Sequence, residues 1–312
     1  MFGQKLPVRR GQGGPQHGVS ALHAHVRTPA NESAIYLATP QIFISLNLRV
    51  HSMRLLYPSD PFNNKRPDEE YVEEFDAANA SGLACSLFSL EDFRDGAFRP
   101  RPRLDEGDEI IYRGWMLSIE DYARLVDAIL GAGAKPLVSA NDYQSCHHLP
   151  DWYEACKDWT PETVFLQRDS DFRRALEGLN WPAYFVKDYV KSLTTARGSL
   201  ANDAEEVAEI VMLIEQYRGM IEGGVCVRRF ELLLPNTEER YFVFKGNAYG
   251  RDGLVPELVD KIATAIHSPF FSVDTVLSAD GNLRLIELGD GQVSDRKLWP
   301  AETFAKMFNT AN

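Results

Sequence analysis

The stretch that decides the fold runs from Phe270 to Gln292, FFSVDTVLSADGNLRLIELGDGQ. Two apolar runs of strand composition flank Asp280-Gly281, a dipeptide favoured in two-residue hairpin turns because it tolerates positive φ. With that turn, cross-strand partners have numbers summing to 561, which sets Asp274 opposite Glu287 on one face. Their Cβ atoms would lie about 4.5–5.5 Å apart, and two like charges so placed destabilise a hairpin unless something positive sits between them. A divalent cation meets that need, and magnesium commonly combines one or two carboxylates with waters and substrate phosphates. The alternatives are a salt bridge from one acid to Arg284 or Lys297, or a slipped register. Asp290, three residues past Glu287, is either a further ligand or an ordinary turn residue.

Working outward, basic residues precede this hairpin on other strands. Arg228 and Arg229 lie in VCVRRFELL and face opposite sides of it. If Asn236-Thr237 is a turn, partners sum to 473, and Arg229, Glu231, Arg240 and Phe242 share a face. Two arginines there suit bidentate recognition of carboxylate or phosphate, whereas Glu231 could instead complete a salt-bridge ladder. Lys187 and Lys191 share strand parity if AYFVKDYVKS stays extended through Val190. A cation on an apolar strand costs desolvation unless it has an anionic partner. A solvated surface strand is the other reading for Lys191.

The elements divide the chain. From residue 151 onward, strands at VCVRRFELLL, ERYFVFKG, FFSVDTVL and LRLIEL mix with helices at DAEEVAEIVMLIEQY and PELVDKIATAIHS, which predicts α+β with an antiparallel sheet. Residues 53–150 alternate strand and helix, which predicts a small open α/β sheet. Its strands are MRLLY, LACSLFSL, EIIYRG and KPLVS, and PSDPFNNKRP reads as a loop. In SIEDYARLVDAILGAG, Ser118 is the expected N-cap with Asp121 completing a capping box. Arg113 ends a strand, where open α/β sheets bind ligands, so it is a candidate grip for a carboxylate, or else a salt bridge to a nearby acid. Tyr143 and His147 are candidates for the same cleft. The run YQSCHH has the wrong spacing for a zinc finger, and Cys146-His147-His148 reads as the start of a loop.

Residues 1–52 stand apart. They hold five Lys or Arg and one acid, a charge of +4, so the remainder carries −16 to give the overall −12. They are expected to form a disordered or non-native extension without function, with Met53 as the natural start. Their apolar run is too short and too polar to span a bilayer, and it lacks the small-residue site of a secretory signal.

At 312 residues the chain can bury a large core, and 44% hydrophobic with 25% charged residues excludes disordered, collagen-like and coiled-coil classes. The acidic balance repels phosphate backbones and anionic lipid, so neither nucleic acid nor membrane is an expected partner. Four scattered cysteines without a C-x-x-C pair point to a reducing, cytoplasmic setting. No phosphate-binding P-loop, dinucleotide fingerprint or nucleophile elbow occurs.

A lysine in VKDYVKS, EQY closing a helix, an arginine strand, and Asp then Glu on paired strands together resemble the ATP-grasp superfamily. IIYRGWML, WPAYFVKDYVKS, GGVCVRRFE and LRLIELGDGQVS resemble its clade named for two arginines and one lysine. The resemblance covers roughly residues 53–300. It implies an ATP-grasp fold of two α+β subdomains (residues 151–312) preceded by a small α/β domain (residues 53–150), with ATP and magnesium as cofactors. By that likeness Lys187 contacts phosphates, with Lys191 nearby. Glu215, Gln216 and Tyr217 form the adenine hinge. Arg229 (or Arg228) and Arg240 reach phosphate or acyl substrate, and Asp274, Glu287 and Asp290 hold magnesium. Two departures stand out. Gly289 occupies a position often held by asparagine, and SLTTARGSL has a single glycine where a Gly-rich loop is usual, leaving Thr194, Thr195 and Arg197 for that work. The implied activity is an ATP-dependent carboxylate–amine ligase, acting on small-molecule or peptide carboxylates and amines, in a homodimer. A kinase on the same fold, or a nucleotide-binding regulator without turnover, are the other readings.

Overall fold

The computed structural model describes residues 52–309. The expected extension therefore lies outside the described residues, apart from Ser52. That residue is tied to the first sheet: its hydroxyl donates to Asp108 at 2.9 Å and its carbonyl accepts from Glu109 N at 3.1 Å.

The first sheet centres on β1 (Met53–Asp60). Its run Leu55, Leu56, Tyr57 is buried throughout, as a strand covered on both faces requires. β2 (Asn63–Pro67) folds back antiparallel on β1, so the segment read as a loop is half of a hairpin. Its turn is held by Asp60 Oδ1, which accepts from Phe62 N and Asn63 N, both at 2.8 Å. After α1 (Val72–Ala80), β3 (Ala84–Phe88) pairs parallel with β1. After the short α2 (Leu90–Arg94), β4 (Glu109–Tyr112) lies parallel on its other side. α3 (Ile119–Gly131) then leads to the short β5 (Lys135–Pro136), parallel to β4. Ser118 caps α3 as expected, accepting from Asp121 N at 3.1 Å.

Two helices follow, α4 (Ala140–His147) and α5 (Leu149–Cys156), so that Cys146 and His147, read as the start of a loop, end a helix instead. Polar Asn141, Asp142, Gln144 and Ser145 blur the apolar period of α4. Ser139, read as the end of a strand, caps α4, accepting from Asp142 N at 3.1 Å.

The second sheet contains β6 (Thr163–Leu166), β7 (Tyr184–Asp188), β8 (Leu200–Ala201) and β9 (Val225–Arg229) in the order β6-β9-β7-β8, all antiparallel. The short α6 (Phe172–Ala175) and long α7 (Ala204–Arg218) cover one face. Strand alternation sorts its residues: Val186, Val225 and Val227 are fully buried against Val207, Ile210 and Ile214 of α7. Phe185, Lys187, Cys226 and Arg228 take the opposite face.

The third sheet holds β10 (Glu239–Phe244), β11 (Asn247–Tyr249), β12 (Phe270–Leu277) and β13 (Leu283–Asp290) in the order β11-β10-β12-β13, with α8 (Glu257–Ala265) between β11 and β12 in sequence. Val243, Phe271, Val273 and Leu285 pack with α5 and α8. Phe242, Phe244 and Phe270 meet Phe304 and Phe308 of α9 (Ala301–Asn309), in ring contacts 4.9 to 6.4 Å apart. That aromatic cluster belongs to the same core as Leu55, Ile111 and Leu125 of the first sheet. The core therefore continues across the expected boundary at residue 150. The predicted hairpin across Asn236-Thr237 does not form, because β9 pairs within the second sheet and β10 within the third.

Arg113 fastens the first sheet to the third. It is 1% exposed and pairs with Glu74 through Nε and Nη2, both at 2.7 Å. Its Nη1 donates to the carbonyls of Gly291 and Ser294 at 2.6 and 3.1 Å, and Phe304 lies 4.7 Å from its guanidinium carbon. Removing one partner of a buried pair strands the other charge. Glu74→Leu should therefore cost about 3–5 kcal/mol in urea unfolding. Adding Arg113→Met should recover much of that loss, whereas additive losses would contradict the pairing argument.

Candidate functional site

A cleft of about 650 Å³ opens between the second and third sheets. Lys187 of β7 and Arg228 of β9 line one wall, and Arg240, Asp274 and Glu287 of the third sheet line the other. Phe185, Leu233 and Ile286 add apolar surface. Six cations (Lys187, Lys191, Arg228, Arg229, Arg240, Lys297) face four acids (Glu231, Glu238, Asp274, Glu287). The cleft is thus electropositive in a chain of net charge −12.

Asp274 and Glu287 are direct partners across β12 and β13. The route to that pairing differs from the expected two-residue turn. Ser278 N donates to Asn282 O at 2.9 Å, closing a three-residue loop in which Gly281 takes φ +84°. Near the turn, partners sum to 560, as in Leu277 with Leu283 and Thr275 with Leu285. A β-bulge at Ile286 then shifts the register. Without it, Asp274 would oppose Ile286, and Glu287 would turn toward the apolar packing of α8.

The acids are already neutralised by basic side chains. Arg240 grips Asp274 through Nε and Nη2 at 2.7 and 2.6 Å, and its Nη1 donates to Asp295 O at 2.8 Å. Lys297 Nζ reaches Asp274 at 3.1 Å and also pairs with Glu238. Among the described residues no group of three or more His, Cys, Asp or Glu is placed to hold a metal. Two opposed carboxylates fit a magnesium ion that takes its other ligands from phosphate and water.

The opposite wall is short of negative charge. Lys187 is 6% exposed, and its nearest acid is Glu287 at 3.4 Å. Burial lowers its pKa below the usual lysine range, against the pull of Glu287. Arg228 is 5% exposed and has no carboxylate partner among the described residues. Its Nη1 and Nη2 donate to Ile286 O at 3.0 Å and Thr160 Oγ1 at 2.5 Å, its Nε has no partner, and burial pushes its pKa down to about 10.

Comparison with known proteins places this geometry. Residues 156–308 match an ATP-grasp domain family, the third of the clade named for two arginines and one lysine. That segment, just under half of the chain, is similar to an ATP-grasp domain. No curated protein matches its sequence. Among solved structures it resembles the D-cycloserine synthetase DcsG at 12% identity, covering 83% of this chain and 100% of that one, with a TM-score of 0.55. The ATP-grasp ligase PsnB, solved with minimal precursor, Mg and ADP, matches at 12% identity over 83% and 98% of the two chains, TM-score 0.54. A RimK domain ATP-grasp protein from Sphaerobacter thermophilus matches at 15% identity over 82% and 98%, TM-score 0.53. At these identities the likeness establishes the fold.

Several residues singled out in the sequence lie elsewhere in this ATP-grasp fold. Glu215, Gln216 and Tyr217 sit on α7, where Glu215 pairs with Arg168 and Tyr217 is 64% exposed. They are absent from the cleft lining, whereas Phe230 to Leu233, which follow β9, do line it. Arg113 is consumed by its structural contacts, and Arg240 by Asp274 and Asp295. Arg229 lies at the cleft rim, half exposed and 3.9 Å from Glu162. Lys191 is exposed, because the strand ends at Asp188, whose Oδ1 accepts from Val190 N and Lys191 N in a turn. Arg197 is tied to Leu200 O and Glu206. Lys297, at a φ of +49°, lines the cleft and makes the salt bridge to one of the paired acids that the sequence left open as an alternative.

Asp290 does not join the acid pair. It is fully buried, with Oδ1 accepting from Gln292 N and Nε2 at 2.9 and 3.2 Å and Oδ2 without a partner. Burial pushes its pKa up to about 7, partly opposed by the Gln292 contacts. The unfolded carboxyl titrates near 3.9, so the folded chain holds the extra proton between these values. Stability from this group is therefore full below about pH 4 and is lost as pH rises to about 7. Asp290→Asn should flatten that slope and raise neutral-pH stability by an amount on the order of 3 kcal/mol. Urea midpoints from pH 4 to 8 check this; parallel curves would contradict it.

Proposed function

We propose that this protein is an ATP-dependent carboxylate–amine ligase that forms an amide through an acyl phosphate. The observation carrying the reading is the pair of buried cations, Lys187 and Arg228, with too little nearby negative charge, facing the opposed acids Asp274 and Glu287. A triphosphate supplies the missing anion. Asp274 and Glu287 would hold magnesium, which neutralises charge on the transferring phosphoryl group when bound. Phe185, Ile286 and Leu233 offer apolar contact to the base, and the segment Phe230 to Leu233 takes the hinge role expected of residues 215–217.

Catalysis of this kind needs positioning and charge neutralisation rather than a strong base. Lys187 and Arg228 hold phosphate oxygens in a site that largely excludes water. Arg240 fixes the Asp274 carboxylate in one orientation. An oxygen of the substrate carboxylate bonds to the γ-phosphorus as the bond to ADP breaks. The amine nitrogen then bonds to the acyl carbon, phosphate leaves with its oxygen, and the nitrogen gives up its proton. PsnB is a ligase solved with Mg and ADP, which supports this choice of cofactors. Four free, buried cysteines suit a cytoplasmic protein. Among the described residues no helix is long and apolar enough to cross a membrane.

The test is ADP release from ATP and magnesium against pools of carboxylic acids, amino acids and short peptides. Stimulated release with stoichiometric phosphate is expected, and Asp274→Ala and Glu287→Ala should each lower it by at least about 100-fold. ADP without free phosphate would replace the ligase with a kinase. Release unaffected by either substitution would overturn the assignment of the acid pair.

A further inference from the structure

A second cavity of about 230 Å³ adjoins the cleft and shares Lys191, Arg240 and Glu287 with it. Its far side brings together Met116 from the first domain, His147 at the end of α4, and Asp295 beyond β13. His147 is 9% exposed, and its Nδ1 lies 2.8 Å from the carbonyl of Tyr143. A carbonyl only accepts, so Nδ1 carries the proton and Nε2 is left as the ring's acceptor. Burial pushes its pKa down to about 4, with nearby Lys191 acting in the same direction. The ring is therefore neutral near pH 7. It is also held firmly: it packs edge-on to Tyr143 at 4.5 Å, and Tyr143 stacks on Tyr122 at 3.9 Å. The Tyr143 hydroxyl donates to Leu117 O and accepts from Leu117 N, both at 2.9 Å.

We infer that this cavity is the amine subsite and that it takes a small α-amino acid, its amino group donating to His147 Nε2 and its carboxylate meeting Lys191. The inference rests on the ligase reading and specifies its amine. Three observations select this class. Arg240 is committed to Asp274 and Asp295, so exposed Lys191 is the available cation for a carboxylate. Glu287 and Asp295 give the remainder of the pocket the opposite sign, which suits a zwitterion. The volume equals roughly seven or eight waters at about 30 Å³ each, and it falls below the about 300 Å³ lower bound for drug-sized ligands. Glycine, alanine or serine fits such a space with room to spare, whereas tryptophan would have to fill nearly all of it. The shared Glu287 places the amino group at the end of the cleft proposed for the transferring phosphoryl group.

Calorimetric titration of the full chain with glycine, L-alanine, L-serine and L-tryptophan tests this, both without nucleotide and with ADP and magnesium. Wild type should bind one or more of the small amino acids and not tryptophan. His147→Phe keeps a ring but removes the acceptor, and should weaken that binding at least tenfold. His147→Gln restores an acceptor oxygen and should recover part of it. Met116→Trp, which fills the cavity from a partly exposed position, should abolish it and serves if the histidine variants fail to fold. ADP titration of the same proteins reports on the nucleotide cleft separately. Absent ADP binding would count against the ligase reading alone. Failure of wild type to bind any small amino acid in either state, or equal binding by His147→Phe and Met116→Trp, would overturn the subsite.

Discussion

Two cations buried on adjacent strands without enough negative charge are the constraint around which this molecule is arranged. Phe185 pairs with Arg228 and Lys187 with Cys226 across β7 and β9, so alternation puts both basic side chains on the face away from α7. The valines between them fill the core beneath. Desolvating an ammonium and a guanidinium is costly unless ion pairs or hydrogen bonds offset it. Here the offsets are partial: one acid 3.4 Å from Lys187, and a carbonyl and a hydroxyl for Arg228. The free protein therefore keeps a site suited to an anion and places it against the third sheet.

The facing wall is built to hold negative charge where it would otherwise repel. The bulge at Ile286 turns Glu287 onto the face of Asp274, and Arg240 and Lys297 neutralise Asp274 in the free chain. Arg240 contributes through Asp274, by orienting a carboxylate. Behind this wall, the Arg113–Glu74 pair and the Phe242–Phe270–Phe304–Phe308 cluster join the third sheet to the first. The acid pair thus stands on a core shared with the first sheet, in which β4 is followed by Met116 and β5 by α4, which ends at His147.

Much of this was legible in the sequence, for identifiable reasons. The parallel strands β1, β3 and β4 of the first sheet announce themselves as apolar runs, whereas polar β2 read as a loop; α3 is announced by its Ser118 cap, and β12 and β13 by alternation about a glycine turn. The opposition of Asp274 and Glu287 was readable too, although a longer loop and a bulge produce it together, and neither has a sequence signature that alternation can detect. Long-range pairing was the less legible part. Two strands joined by a short linker looked like a hairpin, yet β9 and β10 belong to different sheets, so the face sharing expected for Arg229 and Arg240 failed. For Arg113 the sequence left a carboxylate grip and a salt bridge both open; the structure shows the salt bridge, to Glu74, 39 residues away and without a local trace. Glu215 to Tyr217 failed because their helix continues to Arg218, keeping them on its far, solvated end.

The central claim is that Lys187 is buried at a cost to the free protein that a nucleotide phosphate offsets. Lys187→Met keeps the length and removes the charge, leaving Glu287 partly in water. The decisive measurement is the urea midpoint of wild type and Lys187→Met, each with and without saturating ATP and magnesium. The variant should equal or exceed wild type in stability when free, and should gain little from ATP where wild type gains substantially. A variant that is less stable when free yet stabilised by ATP as fully as wild type would contradict the claim.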